Sequence, residues 1–352
     1  MAVIYIDIPL DTKSYALKNI LDIAVFVAFF PQLVAGPIVR AADFLPQLTK
    51  KREWHQVAVK TCLLLFLVGF FKKACVSDNI SYYVDLIFAA PEQYSPSALA
   101  MGVCLYAVQI YCDFSGYTDM AIAVAGLLGF HLPKNFAAPY LARNLVDFWR
   151  RWHMTLSRFL RNYLYFALGG NRKGPARRHV NLMATMVLGG LWHGAAWTFI
   201  FWGALHGIYL GINHGWGWMK RRFGFNQGPS TAWGRALARG VTFLAVIVAW
   251  VFFRAENFSV AMSVLSGMIG LNGIVLPGAT LLVEPAAYVW LGVILAIVWW
   301  APNTQEWLSD HDPVLDDDRH LLRASTRKAN TGTSPLSIVW RRRLLWLVPF
   351  ST

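Results

Sequence analysis

Residues 180–219 contain no Asp, Glu, Lys or Arg, and this run limits the possible folds more than any other feature of the chain. An α-helix rises 1.5 Å per residue, so one straight helix of these 40 residues would be about 60 Å long, roughly twice the hydrocarbon thickness of a bilayer. The run must break or turn back on itself. Gly189-Gly190 is the expected break, because paired glycines relax a helix and neighbouring protein can satisfy the freed backbone groups. Beyond it, Gly203, Gly207, Gly211 and Gly215 recur every fourth residue, a stripe that allows close helix approach.

The remainder of the sequence has the same character. Hydrophobic residues make up 56% of the chain and charged residues only 14%, a balance that suits lipid better than water. Eight apolar stretches meet or approach the length of a span: 20–39, 58–76, 98–112, 120–132, 180–219, 241–253, 258–283 and 285–301. Roughly seven to nine membrane segments are expected. The fold class is therefore all-α, a polytopic transmembrane helix bundle with re-entrant or interfacial helices around a pocket or tunnel. Residues 1–301 form the membrane domain of this reading and residues 302–352 a polar extramembrane tail. The sequence Pro31-Gln32-Leu33-Val34-Ala35-Gly36-Pro37 cannot continue a helix without losing backbone hydrogen bonds, so a broken segment is expected there.

The net charge of +13 gathers in the connections, in residues 50–52, 72–73, 143–178, 220–222 and 341–343. Such clusters mark cytoplasmic loops and contact with anionic lipid. This places residues 143–178 on the cytoplasmic side of a multi-pass protein. No nucleic-acid recognition motif accompanies the charge, so nucleic acid is not an expected partner.

Three segments carry ionisable groups that could do chemistry. Tyr111 to Asp119 sets two carboxylates, Asp113 and Asp119, between two apolar runs, either as a polar turn or as a cavity lining. Residues 143–165 read as one amphipathic helix. Phe148, Trp149, Trp152, Leu156, Phe159, Leu160 and Tyr163 fall on an apolar arc, the arginines opposite, and His153 on the border. Its basic face suits lipid headgroups, or the phosphates of a soluble donor held by Arg150 and Arg151. His193 lies in Leu191-Trp192-His193-Gly194 inside the uncharged run. By itself it reads either as a packed core residue or as a proton acceptor. His206, flanked by glycine, reads as packing. The two are not at metal-ligand spacing, so no metal site is expected. No P-loop, Gly-rich dinucleotide motif or nucleophile elbow is present.

Taken in order, six segments resemble the membrane-bound O-acyltransferases, and specifically the bacterial branch that includes the membrane component of alginate O-acetylation. They are Phe29 to Ile38, Cys112 to Ala121, Asn135-Phe136 with Pro139-Tyr140, Asp147 to Ser157, Leu168 to Arg172, and Leu191 to Gly194; Trp250 to Ala255 also fits. The resemblance implies an inner-membrane enzyme that moves acetyl from a thioester donor, acetyl-CoA, to a hydroxyl of an exported polysaccharide. Transfer is direct or through periplasmic acetyltransferase partner proteins, with no bound cofactor. It assigns His193 as the catalytic residue and His153 as the second signature position, which orients substrate or stabilises charge. Asp113, Asp119, Arg150 and Arg151 are candidates for substrate contact. Members of that branch carry further helices before the Pro31 to Pro37 segment, which points to amino-terminal spans missing from this chain. A transporter of an acyl group or glycan intermediate, or an inactive scaffold of an acetylation complex, are the alternatives.

Overall fold

A computed structural model describes residues 20–33, 35–224, 231–271, 285–301, 303–308 and 314–315. The described residues are almost entirely helical, in the order α1 (Ile20–Ala28), α2 (Ala41–Leu48), α3 (Val59–Phe70), α4 (Asp78–Ala89), α5 (Pro96–Leu127), α6 (Leu145–Trp149), α7 (Met154–Phe159), α8 (Gly174–His193), α9 (Trp197–Arg222), α10 (Ala232–Arg254), α11 (Phe258–Met268), α12 (Pro285–Trp300) and α13 (Thr304–Trp307). One short parallel pairing joins β1 (Leu132–Pro133) to β2 (Val314–Leu315). Among them, α5 and α10 are long and apolar enough to cross a membrane. Most of the expected tail lies outside the described residues.

α5 runs unbroken through the stretch read as a turn or lining between two spans. Ser95 caps it by accepting from the Ala98 N–H, and Pro96 occupies the first turn, where a missing donor costs nothing. The helix continues because its polar residues find partners on the neighbouring element. Lys73 Nζ lies 2.7 Å from Asp113, and Lys72 Nζ lies 2.6 Å from Asp119. Both lysines sit in a π-helical turn, Phe71–Ser77, that joins α3 to α4. Just before it, Gly69 meets Gly116 of α5 backbone to backbone; a Cβ on either would stand 2.6 Å from the other's carbonyl oxygen.

The uncharged run does turn back, but at Gly194–Ala196 and not at Gly189-Gly190. Those two glycines lie buried within α8 and serve as a contact surface. A Cβ at Gly190 would overlap the Phe199 carbonyl, and one at Gly203 the Met186 carbonyl. The stripe behaves as expected and shows a gradient. At Gly207 the nearest atom to an added Cβ would be Met183 Sδ at 2.6 Å, at Gly211 it would be His179 at 4.0 Å, and at Gly215 there is none within contact. The hairpin is tight at its His193 end and opens toward its basic end, where Arg177, Arg178 and Lys220 to Arg222 lie.

The amino-terminal segment breaks as expected. α1 ends at Ala28, a short 3-10 turn covers Phe30–Gln32, and no helix or strand forms from Pro37 to Arg40. Gly36 folds back so closely over Pro31 and Gln32 that a side chain there would overlap their backbone. Phe26, Phe29, Phe44 and Phe130 pack this segment onto the end of α5, with Phe44 and Phe130 stacked at 5.0 Å.

Candidate functional site

The expected helix over residues 143–165 is not one helix. α6 is capped by Asn144, which accepts from the Asp147 N–H at 2.9 Å, and it ends at Trp149. After a turn, α7 starts at Met154, and a π-helical stretch completes the segment. The interruption falls at His153, whose φ of 42° lies in the left-handed region. Non-glycine residues adopt that conformation uncommonly, so surrounding contacts must hold it. The periodicity misled because the apolar positions Phe148, Trp152 and Leu156 are buried on both sides of the break.

Asn135 supplies those contacts. Its backbone carbonyl accepts from the Met154 N–H at 2.9 Å. Its side-chain Oδ1 accepts from Thr155 N at 3.2 Å and from Thr155 Oγ1 at 2.9 Å, and it lies 3.0 Å from His153 Nδ1. Thr155 Oγ1 in turn accepts from the Ile38 N–H at 3.1 Å, which docks the broken amino-terminal segment. The Phe114 ring stands edge-on to the imidazole at 4.6 Å. His153 is only 5% exposed. Burial, and after it the nearby charge of His193, pushes its pKa down to about 3. The imidazole is held neutral at physiological pH.

His193 is the last residue of α8 and is partly buried. Aromatic rings frame it: Trp192 at 4.9 Å, Phe253 at 4.9 Å, Trp202 at 5.4 Å and Phe199 at 6.3 Å. Its side chain makes no hydrogen bond to a described residue. Rings also connect the two histidines, from Phe114 beside His153 through Phe136 and Trp152 to Trp250, which packs on Phe253 and Trp202 beside His193. The late Trp250 to Ala255 segment therefore walls this centre, a role the sequence did not suggest.

His206 is wholly buried in the same aromatic cluster. The Trp149 indole N–H donates to its Nδ1 at 3.3 Å. An indole can only donate, so neutral His206 carries its proton on Nε2, and that atom is sealed without a partner. His206 braces Trp149 and Trp202, 5.2 and 4.9 Å from its ring. The packing role expected for it fits this geometry.

The other candidates are placed differently. Asp119 is 1% exposed and its ion-pair partner Lys72 also donates to Thr304 Oγ1 at 2.6 Å. Asp113 shares Lys73 with Asp78. The partners found for both carboxylates are thus lysines of the preceding turn and not the histidines. Arg151 pairs with Asp147 at 2.8 Å and donates to the Ala137 carbonyl, which ties α6 to the segment after β1 that bears Asn135. Arg150 is exposed. Among the described residues no group of His, Cys, Asp or Glu could hold a metal ion.

The described residues thus form a helical fold with two helices long and apolar enough to cross a membrane and with two histidines set in an aromatic interior. The chain belongs to the membrane-bound O-acyltransferase family, whose family model matches residues 13–268. It is 44% identical over 267 residues to a peptidoglycan O-acetyltransferase of Helicobacter pylori, covering 75% of this chain and 49% of that one. It is 42% identical over 253 residues to a probable alginate O-acetylase of Pseudomonas putida, covering 72% and 50%. A teichoic acid D-alanyltransferase of Bacillus subtilis is 28% identical over 243 residues, 66% of this chain and 61% of that one. The chain thus spans about half the length of the first two of these relatives.

Proposed function

We propose that this protein transfers acetyl from a thioester donor, acetyl-CoA, to hydroxyls of an exported polysaccharide, directly or through a periplasmic acetyltransferase partner. Residues 1–301 form a multi-pass domain of the inner membrane in this reading, with the polar tail beyond it. The relatives named as acetylating peptidoglycan or alginate support the acceptor class. The observation that carries the chemistry is His193, an imidazole with no hydrogen bond to a described residue, framed by rings beside a second buried imidazole.

The acceptor hydroxyl oxygen attacks the thioester carbonyl carbon. A C–O bond forms, the C–S bond breaks, and the hydroxyl proton passes to a His193 ring nitrogen and on to the departing thiolate. General-base help of this kind is worth about a hundredfold to ten-thousandfold. The aromatic frame keeps water from competing with the hydroxyl and holds the imidazole in place. We assign structural roles to Asp113, Asp119 and Arg151 and keep Arg150 as the candidate for donor phosphates at the basic surface. Membranes carrying the protein, given a labelled acetyl thioester and polysaccharide, should place label on the acceptor. Label that crosses the membrane but remains on no hydroxyl would make the protein a transporter.

A further inference from the structure

His153 could serve the reaction in two incompatible ways. An N–H aimed at the reacting groups would stabilise the oxyanion, whereas a lone pair would accept from a hydroxyl of the acceptor next to the one that attacks. The contacts of Asn135 decide between them.

The Thr155 backbone N–H can only donate, so the Asn135 atom facing it must be the amide oxygen and not the nitrogen. That same oxygen faces His153 Nδ1. Oxygen offers no proton, so Nδ1 must supply it. In the neutral imidazole Nε2 is then unprotonated and presents a lone pair. The tautomer is the reverse of that in His206, which takes a hydrogen bond on Nδ1. In His206 the protonated nitrogen, Nε2, is sealed without a partner.

We propose that Asn135 is a positioning residue that fixes His153 as a hydrogen-bond acceptor, so that His153 receives a neighbouring hydroxyl of the polysaccharide acceptor and orients it, while the attacking hydroxyl gives its one proton to His193. This rests on the acyl-transfer reading above. Asn135 is wholly buried, and its Nδ2 has no partner. A sealed donor of that kind costs about 1–3 kcal/mol, so stability alone would favour an apolar residue of the same shape. What an apolar residue could not provide is the oxygen that receives Thr155 twice and His153 once. Through Thr155 the same oxygen ties the imidazole to Ile38 of the broken amino-terminal segment, giving that segment a function in setting the site.

The test is ring nitrogen NMR on the full chain in lipid, labelled with 15N-histidine and with His153 assigned by the signals lost in His153→Gln. The wild type should show His153 protonated on Nδ1. Asn135→Leu should lose that preference and slow acetyl transfer about a hundredfold, the usual scale for a misplaced reacting group. Asn135→Asp keeps the acceptor oxygen and should keep both the tautomer and most of the rate. Its added negative charge should move the acidic limb of the pH profile to higher pH, because a carboxylate favours the imidazolium. A mere structural prop would give no such shift. Protonation on Nε2 in the wild type, or an unchanged tautomer and rate in Asn135→Leu, would overturn the proposal. Full activity in His153→Ala would overturn the role given to His153 even with the expected tautomer in the wild type, whereas no acetyl transfer by the wild type would overturn the acyl-transfer reading itself, so the failures are distinguishable.

Discussion

The α8–α9 hairpin and the irregular stretch from residue 130 to 160 each hold one histidine, and they do so by different means. In the hairpin, shape does the holding. Glycines bring two backbones together at Gly190 and Gly203, and His193 sits at the tight end among rings, with no side-chain hydrogen bond to a described residue. In the irregular stretch, hydrogen bonds do it. Asn135, Thr155 and Ile38 lock His153 into a left-handed conformation that it would not choose unaided. An imidazole without fixed partners can exchange its proton, as a base must. An imidazole with a fixed tautomer presents one face of known polarity. The contrast therefore matches a division of labour between proton transfer and substrate orientation.

Overpacking should break the first region most severely. Gly203→Val places a branched side chain against the Met186 carbonyl, and such insertions cost about 1–3 kcal/mol, occasionally more. The amount of folded protein recovered in detergent should fall sharply, whereas Gly215→Val, where an added Cβ meets open space, should leave it unchanged. In the second region the loss should be polar. Thr155→Val removes the acceptor of the Ile38 N–H and should lower stability by about 1–3 kcal/mol in a denaturation series, the cost of an unsatisfied buried donor. Tyr140→Phe should do less, about 1 kcal/mol, since it removes only the 2.6 Å bond from the hydroxyl to the Ala107 carbonyl.

A further effect in the second region is one of pH. The folded pKa of His153, about 3, lies below the ordinary value of 6.5. Between those values the unfolded chain binds the extra proton, so stability is fully present above about 6.5 and declines as pH falls toward 3. Lowering the pH from 7.5 to 5 should reduce the Tm of the wild type more than that of His153→Gln. An equal reduction in both would mean that His153 is not buried neutral.

The sequence revealed those features that depend on local composition. The uncharged run had to fold back, the Pro31 to Pro37 segment had to break, and a four-residue glycine stripe had to meet a neighbour; all three appear. The location of the fold-back was not readable, because a glycine pair serves equally as a hinge or as a contact surface, and only the opposing Phe199 carbonyl shows which it is. The break at His153 was hidden by an apolar periodicity that the left-handed turn preserves. Asp113 and Asp119 looked like lining because their lysine partners lie 40 or more positions earlier in the chain. Asn135 carried no local signal of its role, since its partners come from an element 18 to 20 residues later and, through Thr155, from Ile38, which lies 117 residues before Thr155.

The central claim is that the hairpin delivers His193 as the base of an acyl transfer. The most direct measurement is the O-acetyl content of exported polysaccharide in cells that carry His193→Ala in place of the wild type, with the membrane-inserted protein quantified in parallel. O-acetyl content should fall by about a hundredfold or more with the amount of inserted protein unchanged. Wild-type acetylation by that variant would contradict the claim.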